Sequence, residues 1–167
     1  MAAGLAIALH FDAVVAAPFG GIGVRIADGA VTELVYLPAS IAAMAPKSPL
    51  AQAVAAQIEA YLADPGFRFE LPLAARGSDF QQRVWRVIAS IPSGSAMTYG
   101  QVARQIRSAP RAVGQACGAN WFPLVVPCHR VLAAGGIGGF ASHDDDEGFH
   151  LSVKRWLLRH ERVAGYA

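Results

Sequence analysis

The chain of 167 residues is sparing with cysteine, with charge and with unbroken apolar sequence. Its two cysteines, Cys117 and Cys128, are too few for a disulfide framework. No CxxC pair or Cys/His cluster has the spacing of zinc ligands, so no metal and no other cofactor is expected. No apolar run approaches the roughly 20 residues that cross a bilayer. Met1 to Leu9 is apolar but short and lacks a basic leader, which speaks against a secretory signal. Charged residues make up 16% and the formal net charge is +2. A balance that mild does not announce nucleic acid, and the placement of the positive charges has to decide. These absences predict a soluble, monomeric, cytoplasmic protein with reduced thiols and no membrane partner.

What is abundant is core material, with 54% hydrophobic residues, a composition that folds. The pattern divides the chain into a small α/β N-terminal domain, residues 1–73, and a mostly α C-terminal domain, residues 74–167. In the first, Ala13–Phe19, Gly23–Ala27 and Val31–Leu37 read as strands, with turns at Gly20-Gly21 and Asp28-Gly29. Pro49–Leu62 has helical spacing, with Leu50, Val54, Ile58 and Leu62 on one stripe and Ser48 as N-cap. Phe67–Leu73 reads as extended. This half shows no catalytic constellation.

In the second half a helix is predicted from Ser78 or Asp79 to about Ile91, with Phe80, Val84, Val87 and Ile91 inward. Two short helices follow, Tyr99 to Arg107 and Arg111 to Gly118, joined by a tight turn at Ser108-Ala109-Pro110. That is the layout of a helix-turn-helix, here winged-helix-like. The second of the pair is packed with small residues, which suit close approach of its backbone to a groove. Leu124-Val125-Val126 reads as a short strand ended by Pro127, and the last helix as Leu151 to Glu161, with Val153, Trp156, Leu157 and His160 along one side. Between them lie a glycine-rich loop, Gly135 to Gly139, and an acidic stretch within 143–147, expected to be solvated. Arg83, Arg86, Arg104, Arg107, Arg111 and Arg130 all fall in this half, where phosphate contacts would give sequence-independent affinity.

Cys128 stands between a proline-stopped apolar run and His129. A thiol is a weak nucleophile until ionised, and a neighbouring imidazole favours the thiolate directly or through a water. The imidazole in turn needs a carboxylate, for which Glu161 on the last helix is the best candidate. Cys117, among small residues, reads as packing.

The blocks Phe80-Gln81-Gln82-Arg83-Val84-Trp85, Thr98-Tyr99-Gly100-Gln101-Val102-Ala103, Arg111-Ala112-Val113-Gly114, Asn120, Pro127-Cys128-His129-Arg130-Val131 and Lys154-Arg155-Trp156-Leu157-Leu158 with Glu161 occur in order from Phe80 to Glu161. In these the chain resembles the O6-alkylguanine-DNA alkyltransferases, or methylated-DNA–protein-cysteine methyltransferases. The resemblance implies DNA repair by irreversible, single-turnover transfer of an alkyl group from O6-alkylguanine in double-stranded DNA to Cys128. It implies that His129 takes the thiol proton through water, that Glu161 polarises His129 and that Asn120 braces the turn before the acceptor. Tyr99 would donate to guanine N3. Arg111 would enter the base stack beside Ala112 and Gly114 in the minor groove, with Arg130 also on the DNA side. Val131, Phe140, Ala141 and Ser142 would line the substrate pocket. The chain departs from the family after Gly139, where Phe140 offers no hydroxyl and an acidic insertion-like stretch follows. Two other readings are a damage sensor without transfer activity, against which the presence of Cys128 argues, and a Cys–His hydrolase, which leaves the paired helices unexplained.

Overall fold

The computed structural model describes residues 10–140 and 148–166. The chain forms two compact units, Met1–Ala75 and Arg76–Ala167. In the first, β1 (Ala13–Ala17), β2 (Gly20–Ala27) and β3 (Ala30–Leu37) make an antiparallel sheet in that order. The first turn is Pro18-Phe19 rather than Gly20-Gly21, because Gly20 and Gly21 pair with Ala17 and Ala16 inside the ladder. Gly20 has φ 139°, and a Cβ there would strike the Leu37 carbonyl, so the glycine answers crowding between strands. The second turn is Asp28-Gly29 as expected, with φ of 52° and 73°, the pair of positive values that suits the twist of a hairpin.

Helix α1 (Pro49–Ala63) packs on β1 and β2 and is capped by the Ser48 hydroxyl, which accepts the Ala51 N–H at 3.1 Å. Its buried face is Ala51, Val54, Ala55, Ile58 and Tyr61. The expected stripe is thus rotated. The two alanines bring the helix close to the sheet and Tyr61 turns inward, while Leu50 and Leu62 are only half-buried. Phe67–Leu73 is extended with no strand, its end tied to β3 by the Val31 N–H to Pro72 carbonyl and Ala74 N–H to Val31 carbonyl bonds of 2.7 and 2.8 Å. Phe11, Val14, Leu37 and Ile41 form a core cluster here.

The second unit holds four helices and a two-stranded ladder among the described residues. Helix α2 (Asp79–Ala89) opens with a full capping box, Ser78 and Gln81 each satisfying the other's backbone N–H. It buries Val84, Trp85 and Ile88, and Phe80 and Val87 stay half-buried. Helices α3 (Tyr99–Gln105) and α4 (Pro110–Gly118) pack on each other and on α2. Thr98 and Gln101 make a second capping box on α3. The Trp85 indole N–H donates to the Ala116 carbonyl at 2.9 Å and pins the end of α4. The Arg83 guanidinium bonds the Ile106 carbonyl at 2.8 Å and holds the end of α3.

Leu124-Val125-Val126 is a turn, not a strand, with Leu124 at φ 73°. The reason is Asn120. Its side-chain oxygen accepts the Phe122 N–H at 2.9 Å and its amide donates to the Val126 carbonyl at 2.8 Å, which curls the segment and leaves no ladder to join. Cys128–Arg130 then forms a single turn of 3₁₀ helix. Strand β5 (Val131–Leu132) pairs in parallel with β4 (Met97–Thr98). Helix α5 (Phe149–His160) buries Leu151, Val153, Lys154, Leu157 and Leu158. Trp156 and His160 instead stack on each other at 4.7 Å along its half-buried side. Among the described residues no helix is long and apolar enough to cross a membrane.

Candidate active site

The 3₁₀ turn places Cys128 and His129 inside the second unit, 4% and 1% exposed. Helix α5 ends one residue before Glu161, which sits at its C-cap and is buried. From there its Oε1 meets His129 Nε2 at 2.8 Å. The same carboxylate takes two bonds from Arg130, Nε at 2.9 Å and Nη2 at 2.7 Å. Burial by itself would raise the Glu161 carboxyl, but the hydrogen bonds and charges of His129 and Arg130 outweigh it and hold the acid well below the carboxylate range. Glu161 is therefore an anion, and His129 Nε2 is the protonated nitrogen that donates to it.

That leaves Nδ1 of His129 with a bare lone pair. It is buried and has no hydrogen-bond partner. Desolvation lowers the His129 pKa against the pull of Glu161, so the ring is neutral near pH 7. A neutral imidazole held in one tautomer, with its free nitrogen facing the interior, is built to accept a proton.

The Cys128 thiol is held above its ordinary pKa by its hydrogen bond with Cys117, then by burial, against weaker help for the thiolate from Asn120 and Lys154. The Asn120 amide lies 3.3 Å from Cys128 Sγ. Tyr99 is half-buried, and its hydroxyl donates to the Gly139 carbonyl at 3.3 Å. Burial first, then the charges of the two cysteines, push its phenol far above the ordinary tyrosine value, so it remains a proton donor.

One residue of this site escaped the sequence reading. Lys154 is fully buried, an unusual fate for lysine. Its ammonium donates to the Val131 and Gly139 carbonyls, both at 2.8 Å, and lies 5.8 Å from the Tyr99 ring centre and 5.7 Å from that of Phe140. Burial lowers its pKa to about 8, while the two cysteines pull the other way. Its place within an apolar face of α5 was the only signal, and sequence spacing alone reads such a lysine as solvated. Cys117 was read as packing, and it is buried near the end of α4.

Arg130 requires a correction. It was expected at the DNA, but its guanidinium is committed to Glu161 and to the Ile91 carbonyl at 2.6 Å, with 12% of the side chain exposed. A fork satisfied on both prongs inside the fold positions the acid rather than a phosphate. Arg111 is exposed at the start of α4, and Ala112 and Gly114 are half-buried behind it. Val131 and Phe140 are buried. Ala141, Ser142 and the acidic 143–147 stretch lie outside the described residues. Among the described residues no group of acidic, histidine and cysteine side chains is arranged to hold a metal.

The fold and this site define a protein built around a buried cysteine–histidine–carboxylate array in a helical unit. Residues 79–163, just over half of the chain, match the family described as 6-O-methylguanine DNA methyltransferase, DNA binding domain. The methylated-DNA–protein-cysteine methyltransferase of Mycobacterium tuberculosis is 48% identical over 109 residues, 64% of this chain and 62% of that protein. The Methanosarcina mazei protein of the same name is 40% identical over 111 residues, 65% of this chain and 66% of that protein. These alignments thus span slightly less than two thirds of each relative's length. The crystal structure of the M. tuberculosis O6-methylguanine methyltransferase superposes with a TM-score of 0.72 at 33% identity over 92% of both chains. The crystal structure of M. tuberculosis OGT in complex with DNA gives the same score and identity over 89% of this chain and 91% of that one. The chain belongs to the 6-O-methylguanine DNA methyltransferase family.

Proposed function

We propose that this protein repairs double-stranded DNA by taking the alkyl group of O6-alkylguanine onto Cys128, once per molecule. The observation that carries the reading is His129, with Nε2 on the Glu161 carboxylate and a buried Nδ1 that has no hydrogen-bond partner, next in the chain to the buried Cys128. The Cys128 proton passes to Nδ1, with a water as bridge because adjacent side chains diverge. The sulfur lone pair then forms the S–C bond to the alkyl carbon as the C–O6 bond breaks. The electron pair withdraws into the purine, and the Tyr99 phenol donates to guanine N3 as charge develops there, a general-acid contribution of about 10²-fold or more. The product is a thioether, which no group of the site can cleave.

The lesion reaches the sulfur only if its nucleotide leaves the stack, at a cost of roughly a few kcal/mol. Helices α3 and α4 and the turn between them serve as a helix-turn-helix within a winged-helix-like unit. Its second helix, with Ala112 and Gly114 near its start, lies against the minor groove, where base readout is degenerate. Exposed Arg111 fills the space left by the flipped base. Val131 and Phe140 wall the pocket, and Asn120 fixes the turn that carries Cys128. The protein works as a monomer in the cytoplasm, where an acceptor thiol is kept reduced.

The test is a duplex with O6-methylguanine carrying a labelled methyl group. One equivalent of label on Cys128, none on Cys128→Ala, is expected. Binding without label would make the protein a damage sensor, and repeated turnover would contradict the thioether product. Arg111→Ala should lose more activity on duplex than on the free base.

A further inference from the structure

Helix α4 carries one long polar side chain that the proposed function leaves without a task. Of its nine residues, Val113, Ala116 and Cys117 are buried, and the bond from the Trp85 indole to the Ala116 carbonyl fixes that side inward. Arg111 and Gln115 are exposed, while Ala112, Gly114 and Gly118 are half-buried. The remaining residues of α4 carry no polar side chain longer than a thiol. Arg111 and Gln115 are one helical turn apart, so they share a face and stand about 6 Å apart along the axis. A Cβ on Gly114 would lie 4.0 Å from the Tyr99 ring, which puts this stretch of α4 at the edge of the site. The Gln115 carbonyl is used inside the fold, where it accepts the Ala119 N–H at 3.1 Å, and its side-chain amide stands on the outer face.

We propose that Gln115 is a specificity-determining residue, whose amide reads the minor-groove edge of a base pair one or two steps from the lesion and favours G·C there. This rests on the reading that α4 lies in the minor groove of alkylated duplex DNA with Arg111 in the gap left by the flipped base. Base pairs stack about 3.4 Å apart, so the rise from Arg111 to Gln115 spans between one and two steps. The minor groove offers acceptors at every pair, and only G·C adds a donor, the N2 amino group of guanine. A glutamine amide has both halves of the match. Its NH2 donates to a base acceptor at any pair, but its oxygen is satisfied by a base only where the N2 amino group donates to it. An arginine or lysine at this position would offer donors alone and could not make that distinction. The amide reaches base edges only with Arg111 inserted, so the bias belongs to the lesion and leaves the phosphate-driven search of sound DNA blind to sequence.

The experiment uses duplexes that carry O6-methylguanine in one sequence and differ only at the two pairs on either side, which are G·C, inosine·C or A·T. Inosine lacks the N2 amino group and keeps the rest of the guanine edge. Affinities are read by fluorescence anisotropy at fixed salt with Cys128→Ala protein, so that no transfer disturbs the equilibrium. The G·C duplex should bind about five- to tenfold more tightly than either of the others, the worth of about one hydrogen bond. Adding Gln115→Ala should bring that margin below twofold. The same order should appear in the concentration of protein with Cys128 intact that gives half-maximal methyl transfer. Equal affinities for the three duplexes overturn the proposal, and so does a margin that survives Gln115→Ala, since groove shape would then be its cause. A margin that depends on Gln115 in a protein that takes no methyl would sink the repair reading and leave Gln115 its role. Methyl transfer without any margin would do the reverse.

Discussion

At the scale of single residues, Glu161 does the most. One carboxylate fixes the tautomer of His129 and occupies Arg130 at the same time. Glu161→Gln keeps the shape but removes the charge, so single-turnover methyl transfer should slow by about 10²-fold or more. A rate within a factor of two of wild type would take the acid out of the proton path. Stability should respond as well. The Glu161 carboxyl is lower in the fold than its unperturbed 4.5, so its contribution is complete above that value and is lost as pH falls below it. His129 adds a loss of the same sign below 6.5, because the unfolded chain binds a proton more readily than the buried ring does. Urea titrations from pH 7 to 3 should therefore show a shallower acid loss for Glu161→Gln than for wild type. Lys154 acts at the other end. Its folded pKa of about 8 lies below the unperturbed 10.5, so the unfolded chain binds the extra proton between those values and stability rises with pH there. Lys154→Met should flatten that rise, and an unchanged slope would mean that the ammonium is not desolvated.

At the scale of elements, the helix ends decide where the chemistry sits. Gly77 precedes α2 with φ 86°, and a Cβ there would meet the Trp85 ring at 2.5 Å. That ring anchors α4 through the Ala116 carbonyl. Gly77→Ala should cost about 1–3 kcal/mol through backbone strain and a displaced indole, whereas Ser78→Ala next to it should lose only the cap, about 1 kcal/mol. Equal urea midpoints for the two variants would refute the contact. The caps at Ser78 and Thr98 were legible in the sequence because they are made by residues a few positions apart, whereas the Cys128-His129-Arg130 turn was not. Nor was Leu124–Val126. Its apolar run reads as strand, and only the two side-chain bonds of Asn120 show why it turns. The inward faces of α1 and α5 were shifted for a similar reason, since small alanines and a buried lysine decide them and hydrophobic spacing does not weigh either. Arg130 was misjudged because its partner, Glu161, is brought to it by packing between distant segments.

At the scale of the molecule, a net charge of +2 sets the terms of any meeting with DNA. Arg104, Arg107 and Arg111 are exposed on the paired helices and their turn. Each phosphate neutralised contributes a slope of about −0.9 in log affinity against log salt on duplex DNA. Replacing any one of the three by alanine should cut the slope for undamaged duplex by about that amount. A slope unmoved by all three changes would place the DNA on another face. Weak, salt-sensitive and sequence-blind affinity is what a searching protein requires, since it must leave sound DNA as readily as it finds it.

The hydrogen-bonded, buried sulfur has a consequence for thrift. Buried and with its pKa raised, Cys128 is a poor target for loose electrophiles in solution. Unfolding removes that protection, for the same thiol then ionises as an ordinary cysteine and meets solvent on every side. On the proposed single-turnover reading, the same packing that arms the molecule also keeps it from being wasted.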